Sequence, residues 1–329
     1  MKPGSAAATW IVCATLAGAC AAPASDEAVA DDELRAVSTL TETIDLALGA
    51  PFDRGEGLHN QAYAFDGVHH FSAGVTTAHA AWVFVHARDG KRICRSRVED
   101  PFGPSSTGKV HPGGGVVVGG GLVSAVSNEV DGPGGAVALL RIEPPAAASR
   151  DAIEPACTTR WLPVDGRDGR SVVVGEYVGL VAEASLPGRP GTDLVVLNIH
   201  GARALRYDAA EGKLVPVGVD RPATSGVMPQ QCARSGTTLV CTPLPLVGGL
   251  ALQVVDGAVG EDGALQRVGR HGFGRYQAPL GEGLSFFGGR LYIAGNAGLG
   301  ETAGCGFAGL AMPCTTRDGT QRVYVYQPR

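Results

Sequence analysis

Two histidines and a glutamate stand where apolar, strand-like runs of this chain begin: His59, His111 and Glu282. Imidazole and carboxylate groups are common ligands of a divalent metal, and the same groups exchange protons in acid–base catalysis. The three residues are far apart in the chain, so only a fold that gathers the starts of these runs could combine them. The alternative is that they are structural polar groups, bonded to connecting backbone.

Other polar residues occupy comparable positions before or within the same runs, and they are candidates for ligand binding. They are Asn60, Gln61, Arg167, Asp168, Gln230 and Gln231. No organic cofactor is predicted, because the chain has no intact phosphate-binding loop or dinucleotide fingerprint. A single divalent metal, held by the two histidines and the glutamate, is the one inorganic group that this set would permit.

The elements that must position these residues repeat along the chain. Two apolar runs flank a short turn five times, at 63–73, 116–125, 172–182, 233–242 and 285–295. The turn residues Gly67, Gly120, Glu176, Gly236 and Gly289 are separated by 53, 56, 60 and 53 positions. Such a period is typical of repeat folds.

A third apolar run follows each turn, at 82–86, 136–142, 193–199, 250–255 and 322–326, and weaker fourth runs follow four of these. Short strands separated by turn residues predict antiparallel sheets. Five repeats of four strands predict an all-β fold of the β-propeller type with five blades. A propeller of six or seven blades, a β-sandwich and a smaller barrel are the alternatives.

The two ends of the chain predict how this fold closes. The last repeat stops at its third run, after a Gly-rich insertion at about 296–320, whereas 40–48 forms an amphipathic strand with no partner before it. We expect that N-terminal strand to complete the last blade. Ring closure of this kind would remove exposed strand edges.

Two segments, EGLSFFGGRLYIAG (282–295) and HPGGGVVVGGGLVSA (111–125), resemble blade openings of secreted bacterial β-propellers of the phytase-like and esterase-like repeat class. The similarity covers most of residues 40–329. Phytase-type propellers hold several calcium ions with clusters of acidic residues, and this sequence has no comparable clusters. The resemblance therefore implies a fold and not an activity.

The N-terminus predicts export. Lys2 precedes an apolar stretch at 6–17 that is too short to span a bilayer and ends in small residues, so residues 1–19 have the pattern of a signal peptide. Cys20 would then be lipidated, 20–36 would be an acidic, Ala-rich tether, and 37–329 a single domain. Ordinary cleavage after an Ala-x-Ala motif is the alternative. The protein would be periplasmic or on the outer surface, lipid-anchored through Cys20 or else secreted.

Exported chains form disulfides, and six cysteines follow Cys20. Cys232 and Cys241 flank one turn, and Cys305 and Cys314 close a short loop. Cys94 and Cys157 pair only by elimination. These two cysteines occupy equivalent positions of neighbouring repeats. We therefore expect the distance between their Cα atoms to exceed the roughly 7 Å that a disulfide can span.

Composition and charge limit the fold and the class of partner. Glycine and proline supply 49 and 21 of 329 residues, as in folds that are rich in turns. The net charge of −5, without a stripe of basic residues, argues against nucleic acid as a partner. The prediction is a monomeric binding or scaffold module of the cell envelope for a small molecule, glycan or envelope protein, with only a lipid anchor in the membrane. The first alternative is a hydrolase of ester or phosphate bonds that uses His59, His111 and Glu282. The second is a structural lipoprotein whose 296–320 insertion docks a partner.

Overall fold

The computed structural model contains a compact unit, Val37–Arg329. Among the described residues, no helix is long and apolar enough to span a bilayer. Every regular element in those residues is a β-strand, which confirms the all-β prediction. The structure describes residues 38–48, 58–76, 80–102, 110–128, 136–146, 155–163, 173–174, 180–184, 193–197, 201–208, 210–216, 221–222, 229–235, 238–243, 253–259, 265–272, 283–296, 304–307, 310–313 and 320–328.

The strands of these ranges are numbered in chain order. The first ten are β1 (Ser38–Ala47), β2 (Leu58–Phe65), β3 (His69–Thr76), β4 (Ala81–Ala87), β5 (Arg92–Arg97), β6 (His111–Val118), β7 (Gly121–Ser127), β8 (Ala136–Glu143), β9 (Thr158–Trp161) and β10 (Val173–Val174). The next nine are β11 (Leu180–Ala184), β12 (Asp193–Leu197), β13 (Gly201–Asp208), β14 (Lys213–Pro216), β15 (Arg221–Pro222), β16 (Pro229–Ser235), β17 (Thr238–Pro243), β18 (Gln253–Val259) and β19 (Leu265–Gly272). The last five are β20 (Gly283–Phe287), β21 (Arg290–Asn296), β22 (Gly304–Phe307), β23 (Leu310–Pro313) and β24 (Thr320–Pro328).

These strands form several antiparallel sheets of four or five strands. Sheet I has the order β2-β3-β4-β5, and sheet IV has the order β16-β17-β18-β19. Sheet II has the order β6-β7-β8, with both β9 and β10 paired to β8; sheet III has the order β11-β12-β13, with both β14 and β15 paired to β13. Sheet V has the order β20-β21-β24-β1, and β22 pairs with β23 in a separate hairpin.

The first strand of each sheet lies next to the first strands of other sheets. Strand β2 contacts β6 and β20, β6 contacts β11, and β16 contacts β11 and β20. The hydrophobic core accordingly lies between the faces of neighbouring sheets. Leu122 and Ile142 of sheet II pack with Val83 of sheet I, and Leu139 of sheet II packs with Leu205 of sheet III. Four-stranded sheets that pack face to face around their first strands are the architecture of the β-propeller class.

Four of the five predicted hairpins are present, and the first shows why its turn forms. Asp66 accepts hydrogen bonds on Oδ1 from the backbone N–H groups of Val68 and His69, at 2.7 and 2.6 Å. Gly67, which follows Asp66, has a φ of 95°, a backbone conformation that costs glycine little. A side chain at this position would also overlap the ring of Phe287, which lies against the turn.

The hairpin predicted at 172–182 is wrong. Its first half, β10, pairs with β8 and is a second segment of the outer strand of sheet II. Its second half is β11, the first strand of sheet III. The run at 193–199, predicted as a third strand, therefore contains the second strand, β12. The true third strand is β13, where Arg203 and Arg206 interrupt the apolar pattern that the prediction relied on.

The N-terminal strand β1 pairs along its length with β24, from Ser38 opposite Pro328 to Ala47 opposite Thr320. Its end also bonds to sheet I. Ala47 donates its N–H to the oxygen of Gly90 at 3.1 Å and accepts a bond from Nε2 of His86 at 3.0 Å. Strand β1 thus connects the last strand of the chain to an early sheet.

The predicted pairing of Cys94 with Cys157 is confirmed, and the expectation that the two lie too far apart is wrong. Their Cα atoms are 5.0 Å apart. The segment before β9 runs beside the outer strand of sheet I, where the N–H of Arg95 donates to the oxygen of Pro155 at 3.2 Å. The disulfide therefore joins the outer edges of two neighbouring sheets.

Cys232 is also disulfide-bonded, and Cys241 lies directly opposite it in the register of β16 and β17. Cys305 lies on β22, although its side chain is not described. Cys20 and Cys314 lie outside the described residues.

Candidate functional site

The first strands of the sheets meet at a fully buried glutamine, Gln231 of β16. Its Nε2 lies 2.6 Å from the oxygens of Tyr63 and Gly115 and 3.0 Å from that of Leu284. Its Oε1 accepts a hydrogen bond from the N–H of Tyr63 at 3.1 Å. One side chain of sheet IV is thus bonded to the first strands of sheets I, II and V.

Small residues make room for this amide. The backbone of Gly283 approaches β2 so closely that an added Cβ would lie 2.3 Å from the Cβ of Tyr63. An added Cβ on Gly115 would lie 2.7 Å from the oxygen of Val123. Any larger residue at either position would push the strands apart, because native Cβ contacts do not approach this closely. Close strand packing and the glutamine bonds therefore support each other.

Three of the first strands bulge near their beginnings. The register shifts between Asn60 and Ala62 in β2, between Pro112 and Gly115 in β6, and between Pro229 and Gln231 in β16. A bulge inserts an unpaired residue, bends the strand and redirects side chains, and bulges are common beside active sites. The predicted candidates Gln61 and Gln230 are the inserted residues of two of them.

The amide of Asn60 is buried beside the bulge of β2. In the orientation that satisfies both of its ends, Nδ2 donates to the oxygens of Ala62 and Ala73 at 3.0 and 3.1 Å. Its Oδ1 then accepts from Nε2 of Gln321 on β24 at 3.0 Å. Asn60 therefore holds the bulge and also connects sheet I to sheet V. Gln61 beside it is 4% exposed.

The predicted metal or acid–base set is only partly described. His111 begins β6 and its side chain is buried. His59 lies on β2, which contacts β6, but its side chain is not described. Glu282, Arg167 and Asp168 lie outside the described residues, and Gln230 lies on β16 without a described side chain. Within the part of the chain that is described, no group of three or more His, Cys, Asp or Glu side chains could hold a metal ion.

Two further histidines, His70 and His86, are buried. The sequence predicts that one of His69 and His70 faces a neighbouring blade and that His86 is an ordinary residue at a strand edge. His70 lies opposite His86 in the register of β3 and β4. The Nδ1 of His70 is 2.7 Å from the hydroxyl of Tyr63, and its Nε2 is 3.1 Å from the oxygen of Arg88. Burial lowers the pKa of His70 to about 4 and the pKa of His86 to about 3. Both rings are therefore neutral at pH 7, so they act as hydrogen-bonding links between elements.

Strand register alone gives little sign of these links. His86 ends an apolar strand and its Nε2 reaches the oxygen of Ala47 at 3.0 Å, an interaction across 39 positions of sequence. Gln231 reaches Gly115 across 116 positions. The only local signal is a polar side chain flanked by apolar or small residues in a strand, which also fits a solvent-facing position.

No family model and no curated protein matches this chain. Among solved structures, it is similar to a GH43_1 enzyme from Xanthomonas citri, with 9% identity and a TM-score of 0.46 over 86% of this chain and 91% of that one. An exo-1,5-α-L-arabinanase from a bovine ruminal metagenomic library has 10% identity and a TM-score of 0.43 over 85% and 100%. A structure named the Dos1 propeller has 9% identity and a TM-score of 0.31 over 82% and 68%. Similarities this low carry no function to this chain.

Proposed function

We propose that this protein is a binding module of the bacterial envelope, built as a rigid propeller that presents its rim and loops to a ligand or partner. The observation that carries the proposal is the engagement of Gln231. Its Nε2 lies within hydrogen-bond distance of three backbone oxygens, and its Oε1 accepts a hydrogen bond from one backbone N–H. All of these backbone groups belong to the first strands of other sheets. A central amide used in this way contributes to rigidity, which favours a scaffold whose recognition surfaces lie elsewhere.

The proposal includes a ring of five blades, sheets I to V, closed by β1. Its support is the set of contacts among first strands together with the pairing of β1 and β24. The phytase-like or esterase-like repeat class belongs to the same proposal. A crystal structure of residues 37–329 tests it, and six or seven sheets around the axis would overturn the blade number.

Export and lipidation at Cys20 complete the proposal. The motif Ala17-Gly18-Ala19-Cys20 supports it, as does the acidic tether that follows. In a bacterial host, the full chain should partition into detergent and incorporate labelled palmitate, and Cys20→Ala should move it to the aqueous phase. Aqueous partitioning of the unaltered chain would instead support simple secretion.

A binding module should turn nothing over. We expect no hydrolysis of chromogenic esters, phosphates or glycosides above the rate of a heat-denatured sample. Chemical cross-linking in cells should capture a ligand or partner on the exported chain. Turnover that is lost in His111→Ala would overturn the proposal.

The second candidate function is hydrolysis at the start of the first strands. The observation in its favour is the placement of backbone: His59 and His111 each stand four positions before a residue bonded to Gln231, namely Tyr63 and Gly115. Glu282 directly precedes Gly283, whose backbone touches Tyr63. About one tightly bound divalent metal per chain by elemental mass spectrometry, lost in His59→Ala, would support it, whereas a metal-free chain would leave only the acid–base form.

A further inference from the structure

A groove of about 640 Å³ opens at the outer edges of sheets I and II, far along each sheet from Gln231. Its size lies within the range of roughly 300–1,000 Å³ that is usual for ligand pockets. The groove is lined by Trp82, Arg95, Ser96, Arg97, Val98, Glu99, Leu140, Ala156, Cys157, Thr159 and Trp161. None of these side chains was predicted from the sequence to bind a ligand.

The groove has a fixed floor. Cys157 in its wall is bonded to Cys94, and the oxygen of Cys157 accepts a hydrogen bond from Oγ of Ser96 at 3.2 Å. The N–H of Val98 donates to the oxygen of Ala81 at 2.9 Å, which holds the chain just beyond β5. The disulfide and the Ser96 hydrogen bond therefore set the distance between the two walls before any ligand arrives. Such preorganisation reduces the entropic cost of binding.

Each wall contributes a half-buried indole. Trp82 lies on β4, and the guanidinium carbon of Arg95 is 5.6 Å from the centre of its ring. Trp161 ends β9 opposite Leu140 and is packed against the core between the sheets. Indoles that are buried on one side and open on the other are common at recognition surfaces, because they combine a flat apolar face with little conformational entropy.

The charge of the groove is positive, in contrast with the whole chain. Arg95 and Arg97 line it with Glu99 as the one acidic residue, whereas the complete sequence has a net charge of −5. Arginine binds carboxylates with two parallel hydrogen bonds. The hydroxyls of Ser96 and Thr159 add short polar groups on the two walls. The apolar area is divided between indole faces and only three small or aliphatic side chains, which does not suit a purely hydrophobic ligand.

We propose that this groove binds an acidic saccharide, a sugar that carries a carboxylate. The C–H face of a pyranose ring packs on an indole, its hydroxyls bond to Glu99 and Thr159, and its carboxylate pairs with Arg97. The proposal rests on the binding function proposed above and names a site and a ligand class for it.

The tryptophan content provides a specific probe. The chain has three tryptophans, and two of them line this groove while the third is Trp10. In the full chain carrying Trp10→Phe, all indole fluorescence therefore reports on the groove. Trigalacturonate is the acidic ligand to titrate, with maltotriose as the neutral control of equal length.

We expect saturable quenching by trigalacturonate, at least tenfold weaker binding of maltotriose, and weaker binding at about 0.5 M salt, where charges are screened beyond a few ångströms. Arg97→Ala should weaken trigalacturonate binding at least tenfold. The side chain of Arg97 is exposed, so the variant should fold as the parent chain does, and circular dichroism checks its fold. The matched control is Arg290→Ala, an exposed arginine of sheet V that should bind as the parent chain does.

Equal affinity for both sugars, or unchanged affinity in Arg97→Ala, would overturn the assignment of the groove. Calorimetry separates this failure from failure of the binding function. Heat of binding without quenching and without Arg97 dependence would place the saccharide elsewhere and retain a binding module. No binding of either sugar up to roughly 10 mM, the weak end of specific affinity, would overturn the saccharide class. Capture of another partner in cells would then leave the proposed function intact.

Discussion

Replacement of Gln231 by leucine tests the central feature of the structure, because leucine has a similar size and no hydrogen-bonding group. The amide is fully buried and bonded to three first strands. A net hydrogen bond contributes about 1 kcal/mol, and a buried polar group left without its partner costs about 1–3 kcal/mol. The backbone oxygens have a second lone pair available, so the lower values apply. We expect Gln231→Leu to reduce the free energy of unfolding by about 3–5 kcal/mol.

The assay is equilibrium unfolding in urea, followed by far-ultraviolet circular dichroism and by fluorescence. The matched control is Gln327→Leu, since Gln327 is an exposed glutamine whose Nε2 donates to the oxygen of Gly289 at 3.3 Å. Exposed substitutions of this kind usually change stability by less than about 0.5 kcal/mol. A loss of under 1 kcal/mol in Gln231→Leu would refute the reasoning, because it would mean that the amide bonds add nothing to packing.

Three further predictions concern links between elements. Burial lowers the pKa of His70 to about 4 and of His86 to about 3, so as the pH falls these two imidazoles are protonated in the unfolded chain before they are in the folded one. The free energy of unfolding should therefore be highest above about pH 6.5 and fall by several kcal/mol as the pH drops toward 3. Urea unfolding at each pH measures this fall, which should be smaller in His86→Gln. Cys94→Ser with Cys157→Ser, which opens a 63-residue separation, should cost about 4 kcal/mol by the chain-entropy relation, and an unchanged thermal midpoint would contradict it. Arg141→Met should lower the free energy of unfolding by about 2–3 kcal/mol, because the buried guanidinium donates to the oxygens of Val118 and Gly119 at 2.7 and 2.8 Å. Arg141→Lys should recover only part of this loss.

Local pattern predicted the elements whose turns have a distinctive residue. The hairpin at Gly288 and Gly289 forms as predicted, and both glycines have positive φ, at 58° and 74°. Glu176 was taken as an equivalent turn, although glutamate has no preference for such a conformation. Strand β10, just before this position, pairs with β8 of the previous sheet instead. The prediction was wrong where it relied on the spacing of the repeats instead of on a residue that favours a turn.

The candidate site was harder to predict, for a physical reason. Positions at the start of first strands were nominated by their place in a repeat, and this selected Gln231 as a ligand-binding residue. A buried glutamine that bonds backbone and an exposed glutamine that bonds a ligand have the same sequence signature. The difference lies in what neighbouring strands present to it, here the oxygens of Tyr63, Gly115 and Leu284. Those partners come from three other repeats, so no local window contains the information.

The two ends of each sheet differ in what their geometry permits, and this difference argues for recognition at the outer edge. At the first strands, a Cβ on Gly283 would overlap Tyr63, so the backbones there are closely packed. At the outer edges of sheets I and II, a groove is lined by two indoles and two arginines. The disulfide between Cys94 and Cys157 joins these two edges. The position of this disulfide has a direct explanation if the groove that it braces is where the protein binds.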